Sequence, residues 1–277
     1  MNYRHIFHAG SFADVVKHVV VVAILQHLRR KEKPFQVIDA HAGRGLYHIE
    51  SPEADRSREA AGGIGRIQDL DVRTDLPDSL RTYLNCVNAE KPGNYPGSPR
   101  IAARLLRPQD RLVAIEKNRE EAEALSGALA MFPNARTIAG DAYDILPSLL
   151  PPRERRGVVI LDPPYEADDE FLRIAQLTAS AHRRFATGVF LLWFPTKSAA
   201  AEEALIGELQ IRGIAPAMRI VIDIGRNANE ERQRLSSAAV VVVNPPYMLE
   251  EEIGAAAKWL APRLGLIAPA EISLSPL

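Results

Sequence analysis

Cysteine is nearly absent: Cys86 stands alone in a chain of 277 residues. No intramolecular disulfide can form, and such usage fits a reducing cytosol, so a cytoplasmic location is expected. Membrane-length apolar runs are missing too. The stretch Val19-Val20-Val21-Val22-Ala23-Ile24-Leu25 falls far short of the ~20 residues a spanning helix needs. The opening Met1-Asn2-Tyr3-Arg4-His5 has no signal-peptide pattern. Neither charge sign dominates, because the formal net charge is −1. That excludes a surface coated in positive potential but leaves room for local basic faces. Three are visible: Arg29-Arg30-Lys31 with Lys33, Arg153 with Arg155-Arg156, and Arg183-Arg184. Taken singly, each reads more readily as a solvated helix end or loop. No low-complexity tail appears, and no repeat beyond one short motif. What remains is ordinary for a globular protein, 47% hydrophobic and 25% charged. The length suits one large α/β domain or a domain with an insertion.

Ser11-Phe12-Ala13-Asp14 is a capping box, and the helix it opens is expected to run to about Arg30, with Pro34 ending it. Phe35 to Asp39 is the first strand, followed by the small-residue turn Ala40-His41-Ala42-Gly43-Arg44-Gly45. Between Leu46 and Pro99 the pattern degrades, broken by Gly62-Gly63 and Pro92-Gly93, with a short helix over Pro77 to Asn88 and no strong strand. Residues 46–99 therefore read as an inserted, mainly helical subdomain, and 1–45 with 100–277 as the core. After Pro99 strands alternate with helices: strands at Arg111–Glu116, Ala135–Ala139, Gly157–Leu161 and Val189–Phe194, helices at Arg119–Met131, Tyr143–Leu150, Asp169–Phe185 and Ala199–Arg212. Two further strands, Met218–Ile224 and Ser237–Val243, and a last helix, Glu250–Leu264, close the chain. The pattern predicts a doubly wound, mostly parallel sheet.

The strand Gly157–Leu161 ends in Asp162-Pro163-Pro164-Tyr165. Each proline removes a backbone donor and holds the preceding residue extended. Carbonyl oxygens, a carboxylate and an aromatic face are left pointing outward, a set that accepts hydrogen bonds from an exocyclic amine. The motif resembles the fourth motif of amino-methyltransferases that use S-adenosylmethionine (SAM). Asn244-Pro245-Pro246-Tyr247 repeats it after another apolar strand. In that fold the amine-binding motif closes the fourth strand, which selects Asp162. Asn244 then reads as the exit of the last strand, with proline there to stop pairing.

Acids stand at further predicted strand ends. Asp39, Glu116 and Asp141 join Asp162 at the carboxyl edge, where ligands of doubly wound sheets bind. Gly43 and Gly45 follow Asp39 and let backbone approach a ligand closely. The turn lacks the third glycine of the dinucleotide fingerprint, which disfavours a nicotinamide dehydrogenase. His5, His8, His18, His41 and His48 crowd the first fifty residues, but their spacing matches no zinc framework and no metal is expected. His18 reads either as a cofactor contact or as a buried, hydrogen-bonded histidine.

These blocks converge on one family. The segment from His5 to His18, Asp39 to Gly45, Tyr95-Pro96-Gly97-Ser98-Pro99, Leu161 to Glu166, Arg184 to Gly188 and Asn244-Pro245-Pro246 resemble the bacterial large-subunit (23S) ribosomal RNA adenine-N6-methyltransferases. The resemblance runs through the whole chain. It implies a Rossmann-like SAM-dependent methyltransferase fold with a small helical insertion, acting as a monomer on 23S ribosomal RNA. It places His18, Asp39, His41, Gly43, Ser98, Glu116, Asp141, Ala142 and Asp162 at the SAM site. Asp162, Pro163 and Tyr165 are the expected catalytic set, with Asp162 and the Pro163 carbonyl accepting the amine hydrogens and the Tyr165 ring stacking on the base. Tyr3, Lys17 and Tyr165 are the expected substrate contacts, a snorkelling surface lysine being the other reading of Lys17. Ala142 departs from the family pattern, which has glycine there; a backbone contact survives that change. DNA adenine-N6 methylation, guanine-N2 methylation of ribosomal RNA and a non-catalytic RNA-binding protein on a relic SAM fold are the competing readings.

Overall fold

The first helix, α1 (Phe12–Arg29), is apolar almost all round, and its residues from Phe12 to Leu25 are buried. Ser11 caps it, its hydroxyl accepting the Asp14 N–H at 3.3 Å. The return bond differs from the expected capping box: Asp14 accepts the Gly10 N–H at 3.0 Å, one residue upstream of the cap. This computed structural model describes residues 8–50, 59–70, 75–167, 169–196, 199–225, 235–266 and 268–277. Tyr3 and His5 lie outside them.

One sheet dominates, in the order β10-β8-β9-β7-β6-β1-β4-β5. Its strands are β1 (Gln36–Asp39), β4 (Arg111–Glu116), β5 (Ala135–Ala139), β6 (Gly157–Leu161), β7 (Val189–Pro195), β8 (Ala217–Asp223), β9 (Ser237–Val243) and β10 (Glu271–Pro276). β1 pairs in parallel with β4 on one side and β6 on the other, so strand order reverses there. β4–β5 and β6–β7 are also parallel, whereas β9 runs antiparallel to both β7 and β8. The continuous apolar run of β6 has a simple cause. Val158 and Ile160 enter the core cluster shared with α1, while Val159 and Leu161 enter the cluster on the other face.

The first face is covered by α1, α3 (Asp78–Asn88), α4 (Ser98–Leu105) and α9 (Leu249–Leu264). The second is covered by α6 (Ala142–Ile145), α7 (Glu170–Arg184) and α8 (Ala199–Ile211). α5 (Arg119–Leu129), which connects β4 to β5, starts at Asn118, whose side chain caps the N–H groups of Glu120 and Glu121. Between β1 and α4 lie the short β2 (Leu46–His48), β3 (Asn94–Pro96) and α2 (Glu59–Gly62). Tyr83 and Tyr95 from this segment are fully buried in the α1 cluster, so its described part is continuous with the core.

One strand expectation needs correction. β9 is not the last strand: it lies inside the sheet, and β10 follows it, pairing antiparallel with β8. β10 is short, half exposed and ends in Pro276, a composition an edge strand tolerates and an inner one does not. The segment read as having no strong strand holds only the short β2 and β3, which pair antiparallel through three residues each.

Candidate active site at the carboxyl edge of the sheet

The ends of β1, β4 and β6 and the turn after β5 open onto one cavity of about 440 Å³, lined by His18, His41, Gly43, Ser98, Glu116, Asp141, Ala142 and Asp162 among others. The strand-order reversal at β1 is the physical reason for the opening, because the connections on its two sides diverge to opposite faces.

Gly43 sits at φ +59°, and a Cβ there would fall 2.2 Å from the Tyr47 hydroxyl, so only glycine fits. Its N–H donates to one carboxylate oxygen of Glu116 at 2.9 Å, while the Asn118 N–H donates to the other at 2.7 Å. Burial raises the Glu116 pKa and these backbone donors oppose the rise. Asp141 caps α6, accepting the Tyr143 N–H at 3.0 Å, and pairs with Lys117 at 2.8 Å. Burial pushes its pKa up, but the Lys117 bond and the Tyr143 N–H outweigh it and hold the carboxyl low. Asp39 stands behind the wall of the cavity. It is fully buried and accepts the Ser98 hydroxyl at 2.7 Å, and among the described residues nothing bonds its Oδ1. Burial pushes its pKa up to about 6 against the Ser98 bond.

Asp162 leaves β6 with its N–H donating to His41 Nδ1 at 3.3 Å. That nitrogen must be unprotonated, in keeping with burial pulling the His41 pKa down to about 4. Asp162 Oδ2 accepts from Lys17 at 2.6 Å, and Lys17 also pairs with Asp14 at 2.8 Å. Burial would lower the Lys17 pKa, yet Asp14 and then Asp162 raise it, so the ammonium is firmly held. The surface reading of Lys17 is therefore overturned: its side chain is 3% exposed. The physical reason is pairing, since a lysine is buried where anions replace water. Its charge also lies 5.7 Å from the Trp193 ring centroid.

Tyr165 occupies the left-handed region at φ 51°. Its ring packs 4.6 Å from that of Phe171 and 6.2 Å from that of Trp193, and its hydroxyl donates to the Trp193 carbonyl at 2.6 Å. Pro163 and Pro164 line the cavity, whereas Tyr165 is not among its lining residues. The Tyr165 hydroxyl ties the motif to β7. His18 is fully buried, bonded through Nδ1 to the Tyr95 hydroxyl at 2.8 Å, which in turn meets Tyr83 at 3.0 Å. The two readings of His18 are thus compatible, because it is buried and bonded and also lines the cavity.

Sequence reasoning missed several groups. Asp14 is 3% exposed and anchors Lys17; the i, i+3 spacing on a helix was the available signal. Tyr143, Glu170 and Arg173 also line the cavity, the Tyr143 hydroxyl bonding Glu170 and the Arg173 guanidinium lying 4.1 Å from the Tyr143 ring centroid. No sequence motif joins them. Among the described residues no three His, Cys, Asp or Glu side chains converge as a metal site.

A family model described as "Ribosomal RNA large subunit methyltransferase D, RlmJ" matches residues 32–271. The chain belongs to this family. It is 36% identical over 268 residues to the Escherichia coli (strain K12) "Ribosomal RNA large subunit methyltransferase J", covering 95% of this chain and 94% of that protein. The Haemophilus influenzae protein of the same name is 33% identical, over 91% of this chain and 90% of its own. A crystal structure of a Legionella pneumophila protein superposes with a TM-score of 0.87 at 28% identity, covering 97% of this chain and 98% of that one. A probable spermidine synthase from Corynebacterium glutamicum shares the fold alone, with a TM-score of 0.52 at 11% identity over 96% of this chain and 76% of that one. This RlmJ-family chain is thus a methyltransferase of the Rossmann-like α/β class.

Proposed function

We propose that this chain transfers a methyl group from SAM to the exocyclic N6 amine of an adenine in 23S ribosomal RNA, as a cytosolic monomer. The observation that carries the reading is Asp162, followed by two prolines at the end of β6 and held by Lys17 at the cavity wall. The residues around the cavity fit SAM. Gly43, Glu116, Asp141 and Ala142 line the same cavity; Glu116 offers the oxygens a ribose diol requires, and Asp141 and Ala142 would meet the adenine edge. The unbonded Asp39 Oδ1 is a buried acceptor with no partner among the described residues. When bound, SAM supplies a methyl group on a positively charged sulfur.

The chain's own residues do the rest. The amine lone pair of adenine is delocalised into its ring and is a poor nucleophile. Asp162 and the Pro163 carbonyl accept the amine hydrogens and turn the lone pair toward the methyl. Lys17 and the His41 contact fix the Asp162 carboxylate and backbone, so its acceptor direction is set before the base arrives. A base must leave its stack to reach this edge, which favours a single-stranded or extruded nucleotide. Tyr3 remains a proposed RNA contact.

Tritium transfer from labelled SAM onto RNA, RNase-treated RNA and DNA tests the substrate. Label is expected in the first alone, and label in DNA or in guanine would replace this reading with its competitors. Glu116→Ala is expected to weaken SAM binding by roughly ten- to a hundredfold, the cost of a charged hydrogen-bond pair; calorimetric titration checks it.

A further inference from the structure

The basic segments Arg29–Lys33 and Arg153–Arg156 are more than a hundred residues apart in sequence, yet the fold joins them. Arg156 donates to the Lys33 carbonyl at 2.8 Å and also to that of Leu28. Arg107 donates to the carbonyls of Lys31 at 2.9 Å and Lys33 at 3.2 Å. Both guanidinium groups lie over the buried Phe35 ring, at 5.6 Å and 5.9 Å from its centroid. These two arginines act as anchors that fix the loop after α1. Around them Arg29, Arg30, Lys31, Lys33, Arg153 and Arg155 are all exposed. The acids in the same segments are few. Asp110 is fully buried and bonded to Arg107, which leaves Glu32 and Glu154. Acids from other elements approach one end of the patch, where Arg30 shares a cleft with Asp78, Glu251 and Glu252, whereas Lys31, Lys33, Arg153 and Arg155 do not line that cleft and are exposed. Neighbouring groups feel the cations: burial lowers the pKa of Arg156, and Arg107 lowers it further. Burial, then Arg30, Arg156 and Lys31, lower that of His27.

This patch faces away from the cavity. Gln36 and Gly157 begin β1 and β6 in register, and Gln36 N–H donates to the Arg156 carbonyl at 2.9 Å. Asp39 and Leu161, at the other ends of these strands, lead to the cavity. Five residues of β6 separate the two edges by ~13 Å at ~3.3 Å per residue. The third basic pair, Arg183-Arg184, is exposed at the end of α7 just before β7 begins, on this same edge.

We infer that this basic edge, opposite the catalytic cavity, is a second contact for the phosphate backbone of the ribosomal RNA substrate, engaging a strand or helix that flanks the target nucleotide. The inference rests on the proposed RNA substrate and extends it. Fixed backbone anchors and exposed long cationic side chains are the chemistry that binds phosphates without reading bases.

The test uses Arg30→Gln/Lys31→Gln/Arg153→Gln, which spares both anchors and the cavity. Binding and methyl transfer are measured with a long 23S fragment and with a short stem-loop carrying the same target base, across a salt series. With the long RNA the triple variant is expected to bind at least tenfold more weakly at low salt. Its log–log salt slope should be shallower by roughly 2 to 3, at about 0.7–0.9 per phosphate contact. Activity on the stem-loop and affinity for SAM should be unchanged, and the all-lysine counterpart Arg30→Lys/Arg153→Lys should bind like the parent. An unchanged slope with the long RNA would overturn the inference and leave the edge to an acidic protein partner. Equal loss with both RNAs would also overturn it. Failure of the parent protein to methylate either RNA would reject the proposed function instead, while the binding slopes would still decide the surface.

Discussion

The same tripeptide, Pro-Pro-Tyr, occurs twice in this chain with opposite consequences. After β6 it follows Asp162, which is held by Lys17 beside the cavity. After β9 it follows Asn244, whose side chain donates to the carbonyls of Ala186 at 2.8 Å and Gly188 at 2.7 Å. Tyr165 is packed against Phe171 and Trp193, whereas Tyr247 is 83% exposed. The left-handed residue differs as well, Tyr165 in the first copy and Asn244 in the second. Strand direction causes the divergence. β6 runs parallel to β1 and delivers its copy to the carboxyl edge, while β9 runs antiparallel to β7 and delivers its copy to the far edge, pairing Val243 with Phe190. A motif therefore acquires its chemistry from the edge on which it emerges.

Mutations should break the two copies differently. The largest effect is expected from Lys17→Met. It leaves Asp14 and Asp162 without their shared cation, and removing one member of a buried ion cluster costs about 3–5 kcal/mol. Denaturant unfolding checks this, and methyl transfer should be lost together with stability. Asp162→Ala should cut methyl transfer by roughly 10²–10³, as for a lost transition-state acceptor, and should also cost stability, because Lys17 is left with Asp14 alone. Asn244→Ala should leave kcat intact and cost about 1–3 kcal/mol through two carbonyls left without a donor. Near-normal turnover by the Asp162 variant would move the catalytic motif to the second copy.

A pH series sharpens the contrast at the carboxyl edge. Asp39 holds its proton more tightly folded than unfolded, with its pKa moved from 3.8 to about 6. The folded state then binds more protons between these values, so its contribution to stability falls as pH rises through them. His41 is the opposite case, moved from 6.5 to about 4. It binds fewer protons when folded, and its contribution rises over the same range. The two slopes oppose one another in the parent protein. Asp39→Asn should expose the rising slope and stabilise the protein near neutral pH by roughly 3 kcal/mol, whereas His41→Asn should expose the falling one. Urea midpoints from pH 4 to pH 7 measure both, and parallel profiles would discard the assignment.

The smallest effects belong to the tyrosines. Tyr165→Phe should cost about 1 kcal/mol by leaving the Trp193 carbonyl without its donor, with a modest fall in activity. Tyr247→Ala should change stability by less than ~0.5 kcal/mol, as exposed positions do. Equal thermal shifts for the two would mean that the Tyr165 hydroxyl bond contributes nothing.

Much of this was legible beforehand. The strands at 111–116, 135–139, 157–161 and 237–243 have the bounds their apolar runs implied. The Ser11 cap was readable because capping chemistry is local. β10 escaped because its burial is slight and its partner strand, β8, lies some fifty residues earlier. Of the site, Asp39, Glu116, Asp141 and Asp162 were visible as acids at strand ends. Asp14 was visible only as a capping residue, its pairing with Lys17 unread although the i, i+3 spacing allowed it; Glu170 and Arg173 were not visible, since nothing in their neighbourhood distinguishes them from helix-surface charges.

Local physics, recorded residue by residue, is what the sequence determined by itself. Period-two and continuous apolar runs set the strands, capping and proline set helix ends, and a lone cysteine ruled out disulfides. Tertiary structure alone decided which charges are buried and which motif copy reaches the cavity. Lys17 looks like any helix lysine until Asp14 and Asp162 close around it, because burying an ammonium depends on anions brought in from elsewhere in the fold. The basic segments near residues 30 and 155 look like separate solvated patches until β1 and β6 pair in parallel and set their starts side by side. Pairing register and strand direction are properties of the whole sheet, and no single segment carries them.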